Sequence, residues 1–235
     1  MSMWSGPEVP AERLQQLAAL RLSYDAKPLR RADLPAAPGQ AFAEWFEQAQ
    51  AAQIIEPNAM VLATVGEDGV PSARTVLLKG VSATGFQFFS NYQSRKGRQL
   101  AAHPVASLLF GWLPMFRQIG ITGHVVRLSD QESDSYFATR PRGSQIAAWA
   151  SPQSQPIGHR SELAQAWQRY EVQFATGPVP RPAQWGGFEV QPHRIEFWQG
   201  QPSRLHDRIV YESVCSQEPT PLADETRWIR SRLAP

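Results

Sequence analysis

From Met60 onward the chain reads as a succession of short apolar-rich segments separated by turns, and this run restricts the fold more than any other feature. "MVLATVG", "EDG" and "SARTVLLKG" form two strand-like stretches flanking an Asp-Gly turn, a pair that accommodates positive φ between antiparallel strands. "FQFFS", "VASLLFGW" and "RQIGITGHVVRL" continue the pattern, and "GFEVQPHRIEFW", "RLHDRIVYE" and a short strand near Trp228 resume it later. Short connections suit antiparallel pairing, and the strand–helix alternation of a doubly wound parallel sheet is missing. The expected fold is mainly β with flanking helices (α+β), its antiparallel sheet closed into a barrel.

The helices are read from a different period. Leu14, Leu17 and Leu20 recur at near-helical spacing and predict an amphipathic helix over 11–24. Phe42, Trp45, Phe46 and Ala49 follow i, i+3, i+4, i+7, so a second helix should cover one side of the core. "SDQE", Ser129 to Glu132, matches a capping box, and the helix it opens should end near Arg140 because Pro141 disfavours helical geometry before it. A further helix is expected over roughly 161–174, and the polar stretch "SQEPTPLADET" reads as a loop. No internal repeat is visible.

Composition narrows the function classes. With 235 residues, 42% of them hydrophobic, the chain is long enough for one large core. A formal net charge of +2 gives no basic stripe for nucleic acid, so any anion is bound locally. A single cysteine, Cys215, excludes an internal disulfide and a Cys-rich metal site, and no HExxH or GxSxG pattern occurs. The start lacks a secretion-signal pattern, and "VASLLFGWLPMF" is well short of the ~20 residues a membrane span needs. The expectation is a soluble cytoplasmic protein without metal, nucleic acid or membrane partners, its hard chemistry supplied by a cofactor.

Four stretches carry candidate chemistry. In "SARTVLLKG", a regular strand would project Arg74 and Lys79 to opposite faces, toward two partners. In "NYQSRKGRQL", Ser94, Arg95 and Lys96 stand between a strand and a helical stretch, where helix amides and cations can converge on a phosphate. In "SYFATRPRGSQ", Tyr136 and Arg140 share a helix face and Ser144 is expected in the following turn, a phenol, guanidinium and hydroxyl suited to a second phosphate. In "RLHDR", a strand would line Arg204, His206 and Arg208 along one face, apt for a flat anionic ring. Taken alone, each stretch has a plainer reading, a solvated charged edge or helix surface, and for "NYQSRKGRQL" a charged helix start is the better of the two.

Together and in order, "RTVLLKG", "NYQSRKGRQL", "FRQIGITG", "RPRGSQIAAWASPQS", "WGGF", "EFWQGQPSRLHDR" and the terminal "RLAP" resemble the pyridoxine 5'-phosphate oxidase family from about Leu20 to Tyr211 and again at the last residues. The resemblance implies an FMN-dependent homodimer with a split-barrel fold, each flavin in a cleft between subunits. The implied reaction converts pyridoxine 5'-phosphate or pyridoxamine 5'-phosphate to pyridoxal 5'-phosphate, with O2 as acceptor and H2O2 as product. Residues 1–38 would form an N-terminal arm and lid, and 39–235 the FMN-binding barrel.

Carried over position by position, the FMN contacts implied are Arg74, Thr75, Val76, Leu77, Leu78, Lys79, Phe89, Ser90, Arg95, Lys96, Gln118, Gln153, Ser154, Trp198 and Arg208. The substrate phosphate would meet Lys79, Tyr136, Arg140 and Ser144, and the pyridine ring Arg204, Leu205 and His206, with Arg204 and His206 catalytic. Arg21, Leu22, Ser23 and Tyr24 resemble the segment that covers the substrate. Three departures stand out: Gly143 where Asp is frequent, Phe116 where Glu is common beside Arg117-Gln118, and "CSQEPTPLADET", which lengthens the last hairpin. Two alternatives stay open: a related flavin oxidase of the same fold acting on another aromatic substrate, such as the phenazine-biosynthesis branch, and a non-catalytic flavin or pyridoxal-phosphate binding protein.

Overall fold

The computed structural model describes residues 11–20, 22–215 and 218–235. Among them nine strands form one antiparallel sheet: β1 (Ala59–Val65), β2 (Pro71–Leu77), β3 (Gly80–Val81), β4 (Phe86–Asn91), β5 (Val105–Trp112), β6 (Arg117–Arg127), β7 (Trp185–Gln199), β8 (Asp207–Ser213) and β9 (Trp228–Leu233). The β1–β2 hairpin turns where expected, with Gly69 at φ +74°, a backbone that only glycine adopts freely. The strand order is β2-β1-β5-β6-β7-β4-β3, with β8 and β9 branching from β7.

Only Leu78 and Lys79 separate β2 from β3, so the two ends of that strand order are joined by the chain itself. The Leu78 N–H donates to Asn58 O and the Lys79 N–H to Gln87 O, each at 2.8 Å, and the sheet closes into a barrel. Strict alternation builds the interior. In β5, Ala106, Leu108, Phe110 and Trp112 are buried while Val105, Ser107, Leu109 and Gly111 face out.

Six α-helices flank the barrel among the described residues: α1 (Ala11–Ala19), α2 (Pro38–Ala51), α3 (Arg95–Ala102), α4 (Asp130–Thr139), α5 (Arg142–Ala150) and α6 (Arg160–Gln173). Helix α2 buries its predicted stripe: Phe42 packs edge-on against Phe86 and Phe110, with centroids 4.9 and 5.4 Å away, and Trp45 against Phe197 at 5.1 Å. Removing such a ring typically costs about 3–5 kcal/mol. The capping box forms at α4, where Ser129 Oγ accepts from the Glu132 N–H and Glu132 accepts from the Ser129 N–H. A second apolar cluster, Phe137, Ile146, Val179 and Trp185, seats α4–α6 against the start of β7.

Four local expectations need correction. The helix predicted over 11–24 stops at Ala19. β2 ends at Leu77, so Arg74 and Lys79 do not share one regular strand. Ser144 lies inside α5, because Pro141 opens a new helix instead of a turn. "RLHDR" is a strand only from Asp207: Pro202–Arg204 form a 3-10 turn in which Ser203 and Arg204 take φ 55° and 62°, and the alternating face does not exist for Arg204 and His206. No helix among the described residues is long and apolar enough to cross a membrane.

Candidate active site

At the seam between the barrel and the α4–α6 cluster lies a cavity of about 300 Å³. The end of β2 supplies Thr75, Val76 and Leu77, followed by Lys79; β4 supplies Phe89 and Ser90; α3 supplies Lys96; α4 and its C-cap supply Tyr136 and Arg140; Gln153 and Trp185 complete the wall. Its charged lining is three cations without a carboxylate. Such an arrangement is repulsive unless an anion enters.

One cationic grip surrounds Lys96. Its ammonium is buried and donates to Ser90 Oγ at 3.1 Å and Ser94 Oγ at 3.5 Å. Desolvation, then the charge of Arg74, pushes the Lys96 ammonium below the usual lysine range. Burial, then the nearby Arg95, likewise lowers Arg74. Arg74 does not line the cavity: it donates to Leu62 O, to the Thr64 and Ser72 hydroxyls and to Gln99 Oε1 of α3. Ser94 caps α3 by accepting from the Gly97 N–H, and Arg95 opens that helix on its exposed side. Two or three cations with hydroxyl donors and no acid are the donor set a phosphate dianion requires.

The second grip is built on Arg140. Its guanidinium lies 4.5 Å over the Trp185 ring, and Nη1 is buried without a hydrogen-bond partner. Burial lowers its pKa. Tyr136 stacks on Phe89 at 3.9 Å and brings its phenol to the same cavity, where Lys79 also ends. An orphaned buried guanidinium nitrogen costs free energy unless something accepts from it, and an anion does so. Ser144 does not line this cavity.

The other predicted residues gather elsewhere. A second cavity of about 390 Å³ is lined by Leu22, Ser23, Tyr24, Gln118, Trp198, Arg204 and His206, together with Leu20 and Gln201–Ser203. His206 Nδ1 accepts the Gln201 N–H at 3.1 Å, which in the neutral ring leaves the proton on Nε2. Trp198 packs against His206 with centroids 4.6 Å apart. Arg208 lines neither cavity: Nε and Nη2 bind Glu196 at 2.6 and 3.1 Å, and Nη1 donates to Ala234 O at 3.0 Å. Leu78 is packed in the barrel core, Leu205 is exposed, and Gln153 accepts from Ser90 Oγ at 3.4 Å beside an exposed Ser154. Arg21 lies outside the described residues.

Sequence reasoning missed Trp185, the ring on which Arg140 rests, and Glu196, the carboxylate that holds Arg208. "WGGF" flagged the neighbourhood of Trp185, but the cation–π contact spans two elements and has no local signature. Glu196 sat in full view within "EFWQGQ", yet its pairing depends on the β7–β8 register.

Two cationic grips on an antiparallel barrel define a protein that binds phosphorylated ligands in a cleft beside its sheet. Residues 46–199 match the family described as "Pyridoxamine 5'-phosphate oxidase", and residues 185–235 match the "Pyridoxine 5'-phosphate oxidase C-terminal dimerisation region", which supports a homodimer. Proteins named pyridoxine/pyridoxamine 5'-phosphate oxidase are 49% identical in Synechocystis sp. and 51% in Burkholderia ambifaria, each over 219 residues, covering 93% of this chain and 98% and 99% of theirs. The crystal structure of PhzG from Burkholderia lata, in complex with tetrahydrophenazine-1-carboxylic acid, aligns at TM-score 0.79 and 30% identity, over 91% of this chain and 100% of that one. A pyridoxamine 5'-phosphate oxidase-related, FMN-binding protein from Nostoc punctiforme shares the fold at TM-score 0.65 and 17% identity, over 85% and 98%. The chain belongs to the pyridoxamine 5'-phosphate oxidase family. FMN is its cofactor, and the acid-free grip at Lys96 and Ser90 fits the phosphate of that group.

Proposed function

We propose that the chain oxidises pyridoxine 5'-phosphate and pyridoxamine 5'-phosphate to pyridoxal 5'-phosphate, as a homodimer acting in vitamin B6 metabolism in the cytoplasm. One observation carries this reading: the cavity holds a second anion grip, the unpartnered Arg140 Nη1 with Lys79 and Tyr136, beyond the one that serves FMN. A substrate without a phosphate leaves that grip unsatisfied. When bound, FMN supplies two-electron redox chemistry, taking electrons from the substrate and returning them to O2 as H2O2.

The protein's share is positioning. Lys96 and Ser90 hold the flavin phosphate, with Arg74 and Arg95 adding charge from behind. Thr75–Leu77 and Gln153 flank the flavin. Lys79, Tyr136 and Arg140 hold the substrate phosphate. Trp198, Arg204 and His206 wall the pyridine ring, with the Nε2–H of His206 available as a donor, and residues 1–38 act as arm and lid over barrel 39–235.

These ring-facing residues belong to a second copy of the chain. Trp185 walls one cavity and Trp198 the other, at opposite ends of β7. Thirteen residue steps of strand, roughly 40 Å along the chain at about 3.3 Å of rise per residue, lie between them, which supports assigning the two cavities to different sites of the dimer.

Oxygen uptake by the purified yellow protein tests the reading, using each phosphorylated vitamer, its unphosphorylated counterpart and tetrahydrophenazine-1-carboxylic acid. Uptake with matching H2O2 is expected for the phosphorylated compounds. Equal rates without the phosphate, or preference for the carboxylated tricycle, would reject it, and flavin binding with no uptake would mark a carrier. Arg204→Ala is expected to lower turnover while FMN stays bound.

A further inference from the structure

The chain entering the second cavity is held in two different ways. Residues 27–35 are tied down by hydrogen bonds: Gln201 Nε2 donates to Lys27 O at 3.0 Å, the Leu29 N–H to Asp207 Oδ2 at 2.8 Å, and Tyr211 Oη to Pro35 O at 2.6 Å. Residues 22–26 make no hydrogen bond to another described residue. Leu22 and Ser23 are exposed, and Tyr24 is half-buried. Among the described residues three rings surround it, Phe116 at 4.7 Å, His206 at 5.7 Å and Trp198 at 6.1 Å between centroids.

Phe116 is the nearest of these rings and does not line the cavity. It sits at φ 52°, ψ 40°, a left-handed conformation rare for a bulky residue. Its backbone is pinned there. The Phe116 N–H donates to Leu113 O at 2.9 Å, and Phe116 O accepts from the Gly200 N–H at 2.7 Å and from Gln199 Nε2 at 3.1 Å. Gly200 completes the fit, because a Cβ there would lie 2.7 Å from Tyr24 Cδ2 and 3.0 Å from Phe116 Cβ. Strained, unusual backbone held by several bonds and aimed at one ring is the geometry of a positioning element.

We infer that Phe116 is a positioning residue that anchors Tyr24, and through it residues 22–24, over the pocket of Trp198, Arg204 and His206, thereby setting how long substrate is retained. The inference rests on the reading that this pocket receives the substrate ring. Phe116 does not line the pocket, and the pocket ring it packs against is that of Tyr24. Its removal therefore raises KM with little change in kcat.

Phe116→Ala, Phe116→Glu and Phe116→Tyr test this in the FMN-loaded dimer, with retained flavin colour and an unchanged melting profile showing that each folds. Limited proteolysis by a non-specific protease, with cuts inside residues 22–26 mapped by mass spectrometry, is read beside steady-state kinetics. The Ala and Glu variants should be cut faster in that segment and not in β5–β7, and raise KM roughly 3- to 10-fold, the scale of one aromatic pair. Phe116→Tyr should restore both. Unchanged cutting in the Ala variant overturns the anchor, and faster cutting with unchanged KM overturns its link to substrate retention. A wild-type enzyme inactive on both phosphorylated vitamers would defeat the functional reading instead, leaving the proteolysis to judge the anchor. A variant that loses flavin or melts early is replaced by Tyr24→Ala, which should reproduce the same cutting and KM changes.

Discussion

Trp185 and Trp198 lie on one strand, β7, and wall two different cavities. The first is lined by Lys79, Lys96 and Arg140 and the second by Arg204 and His206. On the proposed function one site would draw on both, and a symmetric dimer can bring the first cavity of one copy to the second cavity of the other.

Arg140 should matter through the substrate phosphate. Arg140→Ala removes the unpartnered Nη1 and the group stacked on Trp185. Since hydrogen bonds to a charged group are worth about 1.5–3 kcal/mol, KM for pyridoxine 5'-phosphate should rise roughly 10- to 100-fold with FMN affinity unchanged. Arg140→Lys should rescue poorly, because an ammonium cannot stack as a planar guanidinium does. Steady-state kinetics beside flavin titration checks both.

Lys96 makes a prediction about pH. Burial and Arg74 lower its pKa in the folded apoprotein, so between that value and the ordinary lysine range the unfolded chain binds the proton that the folded chain has shed. Stability of the apoprotein should therefore rise with pH across this alkaline window, while FMN affinity falls as the cation is lost. Lys96→Met should make the apoprotein more stable than wild type near neutrality, an advantage that shrinks as the pH climbs. Melting curves of both apoproteins against pH, with parallel flavin titrations, measure this.

Glu196 holds Arg208 and Arg194 together on the β7–β8 ladder, with Arg194 Nη2 at 2.7 Å. Burial alone would raise its pKa, but hydrogen bonds and charge from Arg208 and Arg194 outweigh it and keep the carboxylate below its usual range. A depressed folded pKa adds stability above the unfolded value that is lost as pH falls through the folded one. Glu196→Gln should cost about 1–2 kcal/mol at pH 7 for a half-buried pair and less in acid, seen as a smaller melting difference.

The barrel strands were legible because alternation in "VASLLFGW" and "RQIGITGHVVRL" is a local signal, and the α4 start because Ser129 and Glu132 are three residues apart. The chemistry of Lys96, Tyr136 and Arg140 was legible as residue types. "RLHDR" was misread because Pro202 and two positive-φ residues delay β8 until Asp207, which alternation of charge does not reveal. The pairing of Arg208 with Glu196 was not legible, because that partner is fixed by strand register. Nothing in one chain's sequence tells how far apart its two cavities lie.

Mixed dimers test most directly whether one site takes a half from each of two copies. Arg140→Ala weakens the first cavity and Arg204→Ala the second, and with substrate well below the wild-type KM each homodimer alone should turn over poorly. Dimers carrying one chain of each, reformed after dissociation, hold one site with both lesions and one with none, so an equal mixture should recover roughly a quarter of wild-type activity. Mixed dimers demonstrably formed, by capture on a tag carried by one variant only, with activity no greater than that of the two parents would contradict a shared site.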